Sequence, residues 1–253
     1  MVVDDKSAMT VSQDGVDITR PASPNVVELP TTPHAKPDPV YGEKNSRAMV
    51  TELVAFTLPL LIVWLSNPIM SLVDTAVVGA RSSVELAALG PGTSVCDNVA
   101  YMCGFLAQVT TNLVASARAA DDERKADRAT LTGMVLATAV GLAVTHGLLN
   151  HGRALLELFV GGNSAVLSVL PYSCSYVYIR AMGFVAVTVS MVLQGTYLAK
   201  KDIATPIKSV GGSSIVNLVL DCWMVFGLGM GIKGAALSTT LAQWAGLLYL
   251  LKQ

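Results

Sequence analysis

The sequence predicts an all-helical integral membrane protein of about six transmembrane spans. Three observations carry that expectation. The 253 residues are 52% hydrophobic, with a mean hydropathy of +0.54. Only 14% are charged, where a soluble domain usually carries about 25%, and the charges gather in the first 47 residues and in short gaps between apolar runs. Those runs are roughly 20 residues long, the length that carries a helix across a bilayer core. Length alone would favour one or two soluble domains, but the apolar blocks override it. The net charge of −1 points away from nucleic acid and other polyanions, leaving the lipid bilayer as the first partner.

Residues 1–46 read as a disordered tail. The segment is acidic and holds Pro21, Pro24, Pro30, Pro33, Pro37 and Pro39. It lacks hydrophobic periodicity and cannot bury enough apolar surface to offset its ordering entropy. It has no apolar core of a secretory signal, and its acidic residues do not suit an organelle transit peptide.

Residues 47–253 read as a six-helix transmembrane lobe. The spans cover about 51–78, 93–117, 130–149, 165–194, 209–228 and 234–251. Orientation follows from the basic residues of the short loops. Lys44, Arg47, Arg118, Arg124, Lys125, Arg128, Lys200, Lys201 and Lys208 fall on one side, against Arg81, Arg153 and Lys233 on the other. That bias places both termini on the cytoplasmic or stromal side.

Four ionisable residues inside the spans stand out: Asp74, Asp97, Arg180 and Asp221. Such groups are costly in a membrane and mark functional sites by default. Asp74 lies near the outer end of span 1, and Asp221 in the outer half of span 5. Asn217 precedes Asp221 by four residues, on the same helix face. Thr239 lies in the first turns of span 6, which starts outside. Asp74, Asn217, Asp221 and Thr239 therefore share one depth. Two close carboxylates in a low dielectric should not both ionise, and the pair titrates as a unit. That describes a protonatable switch, against the plainer reading that Asp74 merely sits at the interface.

Asp97 opens span 2, where a carboxylate favours a helix N-terminus; it is also a candidate partner for Arg180. Arg180 itself is either one side of a structural ion pair or a substrate-facing group. Pro59 and Pro68 fall inside span 1 and each removes a backbone hydrogen bond. They mark either a hinge or a static kink. Cys96, Cys103, Cys174 and Cys222 lie in apolar runs with no CxxC pair, as packing residues do. His34, His146 and His151 lack metal-ligand spacing. Gly211-Gly-Ser213-Ser214 with His146 is faintly similar to an intramembrane serine hydrolase. The topology puts Ser213 and His146 at opposite membrane faces, so no enzyme is expected.

Asn67-Pro-Ile-Met-Ser-Leu-Val-Asp74-Thr-Ala-Val-Val-Gly79 resembles the first-helix motif of the multidrug and toxic compound extrusion (MATE) transporters. Further matches follow in order: Ile179-Arg180-Ala-Met-Gly183, Gln194-Gly195, Lys201-Asp202, Thr205-Pro206, Asn217-Leu-Val-Leu-Asp221 and Phe226-Gly-Leu-Gly-Met-Gly231-Ile-Lys-Gly234. The stretch Ser82 to Asn98 is similar to the plastid branch of plant and algal members. A proline frequent in the family is replaced by Val185, which would straighten span 4. The resemblance implies the N-terminal lobe of a twelve-helix, cation-coupled antiporter for small organic compounds. It assigns Asp74, Asn217, Asp221 and Thr239 to the coupling ion, either H+ or Na+, with no other metal and no enzyme cofactor. The expected partners are the organic substrate and the missing C-terminal lobe, or a second copy in its place. An inactive or regulatory half-transporter is the alternative, and a lipid-precursor flippase a lesser one, since Arg180 is the only basic residue in mid-span.

Overall fold

The computed structural model describes residues 46–160 and 168–253, together with most of their side chains. The tail expected over 1–46 and the start of span 4 therefore lie, but for Ser46, outside the described residues. Every regular element described is helical. In chain order these are α1 (Ser46–Gly79), α2 (Ser83–Ala119), α3 (Glu123–Val160), α4 (Leu170–Ala181), α5 (Phe184–Ala199), α6 (Ala204–Asp221) and α7 (Ile232–Lys252), with a π-helical turn, Cys222–Gly227, after α6. Among the described residues, three helices are long and apolar enough to cross a membrane: α2, α3, and α6 with its π-helical extension. The pair α4–α5, bent by 51°, makes a fourth if it is one span.

Large apolar side chains cover the outside, among them Leu158 at 80% and Met102 at 77% exposure. In water such a surface would be an aggregation liability; in lipid it is the solvated face. Inside, α2 packs along α3 and α5, α4 lies against α2, α3 and α7, and α6 pairs with α7. Val78 at the end of α1 joins Val225, Ile232 and Tyr176 in the main core.

Several expected boundaries move. α2 begins at Ser83 and not near 93, because Gly90-Pro91-Gly92 continues the helix. Pro91 removes one backbone donor, and nearby the Ser173 hydroxyl of α4 donates to the Ala88 carbonyl at 2.7 Å. Gly92 is there for closeness, since a Cβ would meet the Tyr176 ring at 2.9 Å. Asp97 is consequently in the interior of α2, and the expected N-terminal role for it is wrong. α1 runs unbroken through Pro59 and Pro68, so neither proline interrupts it. Cys96, Cys103 and Cys174 are buried as packing residues, but Cys222 is exposed.

Span 4 is not straightened by Val185. The bend lies at Met182-Gly183, where Met182 N–H and Gly183 N–H donate to the Ile179 and Arg180 carbonyls at 3.2 and 2.9 Å. These three-residue closures tighten the turn and change the helix direction. The Gln243 side chain and the Arg180 carbonyl fill the space a Cβ at position 183 would need.

α3 and α5 cross closely at small residues, as apolar spans do in lipid. Thr188 Oγ1 donates to the Ala137 carbonyl at 2.8 Å. At Gly141 a Cβ would stand 2.8 Å from the Val185 Cα, a backbone atom that cannot rotate away. Gly141→Val is expected to destabilise the bundle by about 1–3 kcal/mol or more through overpacking, read as a lowered Tm in detergent. Gly147→Ala, at a glycine with nothing within 4 Å, is the neutral control.

Candidate functional site

Three helices meet at the buried polar residues. Asn217 and Asp221 stand one turn apart on α6, and Asn217 Nδ2 donates to the Asp221 carboxylate. The same amide donates to Asp74 Oδ1, on α1, at 3.3 Å. From α7, the Ser238 hydroxyl donates to the other Asp221 oxygen. Asp74 also lies close to the Asp221 carboxyl and to Thr239. Asp74, Asn217, Asp221 and Ser238 are each at most 5% exposed. The amide nitrogen of Asn217 thus serves two carboxyls at once. Two buried carboxyls this close cannot both ionise without cost.

A cavity of about 410 Å³ opens beside this cluster. Asp74, Asn217 and Thr239 line it, while Asp221 and Ser238 lie behind its wall. Its remaining surface mixes polar groups such as Gln194 and Ser190 with Tyr101 and Met191. Concave, mixed surfaces of this size suit small organic molecules.

Arg180 and Asp97 line the same cavity. Arg180 Nη2 stands 3.9 Å from Asp97 Oδ1, too far for a hydrogen bond. Arg180 is 9% exposed, and its Nε and Nη1 have no hydrogen-bond partner among the described residues. Asp97 is half exposed.

The structure therefore brings Asp74, Asn217 and Asp221 together as their positions predict, with Thr239 beside Asp74. It adds Ser238, which sequence reasoning missed. The Thr239 hydroxyl is spent on the Ala235 carbonyl at 2.8 Å, and its neighbour reaches Asp221 instead. Pro68 lines the cavity; the Pro59 side chain lies outside the described residues. Ser213 donates to the Val210 carbonyl and exposed His146 contacts Asn150, so no serine–histidine pair forms. Among the described residues, no cluster of three His, Cys, Asp or Glu could hold a metal ion.

A model of the MatE family matches residues 59–223, two thirds of the chain. The chain belongs to the MatE family. MatE proteins are membrane transporters and not enzymes. Among its relatives, Protein DETOXIFICATION 47, chloroplastic, of Arabidopsis thaliana is 34% identical over 76% of this chain and 35% of that protein. DNA damage-inducible protein F of Escherichia coli is 33% identical over 76% of this chain and 41% of its own length. A crystal structure of MATE in the bent conformation superposes with a TM-score of 0.72 at 22% identity, over 78% of this chain and 43% of that one; it shows the shared fold. The chain spans less than half the length of the curated relatives it matches.

Proposed function

We propose that this MatE chain is the ion-coupling lobe of an antiporter that exports small organic compounds. The observation that carries the reading is the buried Asp74–Asn217–Asp221–Ser238 cluster beside a cavity large enough for an organic substrate. In this reading α1, α2, α3, the bent α4–α5, α6 and α7 are six spans, and residues 47–253 form one lobe. The termini face the cytoplasm or stroma, following the loop charges. The membrane is a plastid envelope, as the chloroplastic names of two relatives favour. A companion lobe, or a second copy, completes the substrate path.

The coupling ion is a proton, with Na+ at the same carboxylates as the alternative. A proton arriving from the outer side reaches Asp74 first, because Asp74 lines the cavity and Asp221 does not. A protonated Asp74 becomes a donor and a weaker acceptor, so its hydrogen bond from the Asn217 amide loosens while the one to Asp221 is kept. α1 then moves, with Pro68 or Pro59 as the hinge, and the substrate is released outward. Each proton carried inward is worth about 2.3 kcal/mol per 100 mV of membrane potential.

Efflux from proteoliposomes under an imposed pH gradient, with a sodium gradient in parallel, tests the reading. Asp74→Asn is expected to make efflux independent of the gradient. Gradient-driven efflux that survives in Asp74→Asn would refute it. Cross-linking in the membrane separates a lone lobe, the inactive or regulatory alternative, from a paired one.

A further inference from the structure

Two charged side chains of the α1–α2 turn reach across to the ends of the helices that carry Asp221 and Ser238. Arg81 Nη1 donates to the Val225 carbonyl at 3.0 Å. Glu85 Oε2 accepts from the Ile232 N–H at 2.8 Å. Val225 follows Asp221 by four residues, and Ile232 precedes Ser238 by six.

Both contacts meet a definite need. A helix end leaves backbone groups without intrahelical partners. In the π-helical turn, Leu228 N–H serves the Trp223 carbonyl at 2.9 Å and Met230 N–H serves Met224 at 3.0 Å. The Val225 carbonyl receives the Arg81 guanidinium. At the other limb the residue before α7 is Gly231, which has no side chain to cap with, and Glu85 supplies the acceptor from another helix. The charges match the helix ends they touch, a cation at a C-terminus and an anion at an N-terminus.

The sequence Ser82-Ser-Val-Glu85 has the form of a capping box, in which the glutamate turns back to the N-cap N–H. Ser82 does accept from the Glu85 N–H at 3.3 Å. The Ser82 N–H, however, is already bonded to the Val78 carbonyl at 3.1 Å, which frees the Glu85 carboxylate for Ile232. The receiving loop is shaped for both groups. Gly229 and Gly231 have φ of +72° and +57°, which favour glycine. A Cβ on Gly229 would meet the Arg81 guanidinium at 3.0 Å, and one on Gly231 would overlap the Glu85 carboxylate.

We infer that Arg81 and Glu85 are positioning residues for the Asp74–Asp221 pair, forming a two-point latch that holds the outer end of α1 against both limbs of the α6–α7 hairpin. Asp74 is seven residues before Arg81, on the helix that enters this turn. When the latch is closed, α1 cannot withdraw from α6 without breaking one of the two contacts. Its release is therefore the structural counterpart of separating the two carboxyls. The inference rests on the coupling role proposed above for that pair.

The test uses the 253-residue chain in lipid nanodiscs and two observables. Hydrogen exchange at Ile232, at the 225–231 segment and around Asn217 reads the latch and the helix it holds. The infrared carboxylic-acid band, followed against pH, reads the pair; Asp74→Asn and Asp221→Asn assign it. The other groups around the pair are Asn217, Ser238 and Thr239, with Arg180 and Asp97 the charged side chains interacting with Asp74 and Tyr176 the further titratable one. In Arg81→Gln/Glu85→Gln, exchange at Ile232 and Asn217 is expected to rise roughly tenfold, the scale of a lost cap. The midpoint of the band is expected to move toward that of Asp74→Asn, in which Asp221 titrates alone. Gly231→Ala, which displaces Glu85 without altering it, should move both observables the same way, and Arg81→Lys should restore part of each. Faster exchange confined to 225–232, with Asn217 and the midpoint unchanged, would reduce the contacts to caps and overturn the latch. A band absent at every pH in the unmodified chain would refute the coupling reading alone. Exchange at Asn217 would still decide the latch.

Discussion

Asp221→Asn is expected to cut gradient-driven efflux severely and to destabilise the bundle. Asp221 is fully buried and accepts from both Asn217 and Ser238. An asparagine keeps the shape but replaces one acceptor oxygen by an NH2 group. Turned toward Asn217 that group meets the amide donor; turned toward Ser238 it leaves the hydroxyl only the Ala235 carbonyl to donate to. Exchanging hydrogen bonds to a charged acceptor for neutral ones costs about 1 kcal/mol each, and the loss should appear as a lower Tm. Coupled flux is expected to fall about a hundredfold, the scale of exchanging charge-assisted hydrogen bonds of about 1.5–3 kcal/mol each. Ser238→Ala removes one donor and keeps the acid, so a loss of about 1 kcal/mol with coupling retained is expected. The contrast is the diagnostic part. Efflux from Asp221→Asn that still follows the pH gradient would make Asp221 a structural acceptor only.

The parts of this site that were legible in the sequence are those that depend on a single helix. An aspartate inside an apolar run is visible without coordinates, and the four-residue spacing of Asn217 and Asp221 places both on one face. The meeting of Asp74, Asn217 and Asp221 also followed, from their positions along successive apolar runs. Ser238 was not legible. The choice between Ser238 and Thr239 depends on the rotation of α7 relative to α6. Between them lie a π-helical turn and two glycines of positive φ. A π turn inserts a residue into the helical count, so phase cannot be carried across by counting. The start of α2 was missed for a related reason. Gly90-Pro91-Gly92 has the composition of a loop, yet tertiary contact with Tyr176 and Ser173 holds it as helix. The bend in span 4 likewise comes from the Ile179 and Arg180 closures at Gly183 and not from the proline whose absence was visible. Glu85 was hidden in a motif with a local explanation, since a capping box accounts for a glutamate at that position without any partner helix.

Replacing Arg180 by methionine is expected to leave stability unchanged or raise it, while Asp97→Asn lowers it. Arg180 is a charge in a largely dry place; among the described residues two of its nitrogens are unpartnered and its nearest carboxylate, Asp97, is at 3.9 Å. A buried ion pair is often no more stable than an apolar replacement, whereas removing one partner strands the other at about 3–5 kcal/mol. The two partners are not equivalent here. Asp97 is half exposed and returns to water at little cost when Arg180 is gone. Arg180 without Asp97 keeps only the more distant Asp74 for compensation. The loose contact argues for a cost below that range, about 1–3 kcal/mol for Asp97→Asn, the scale of an unsatisfied buried polar group. The double variant Arg180→Met/Asp97→Asn should recover the stability of the unmodified chain. That non-additivity is measurable by a double-mutant cycle of thermal unfolding. The same three variants then decide what the arginine is for. A purely structural pair predicts that efflux tracks Tm across the series. A substrate-facing guanidinium predicts that Arg180→Met and the double variant, both stable, lose substrate affinity about tenfold or more, the scale of one charged hydrogen bond. A half-satisfied cation on a cavity wall carries a stability cost with no structural gain that its contacts reveal, and a role in the substrate path is what would retain it.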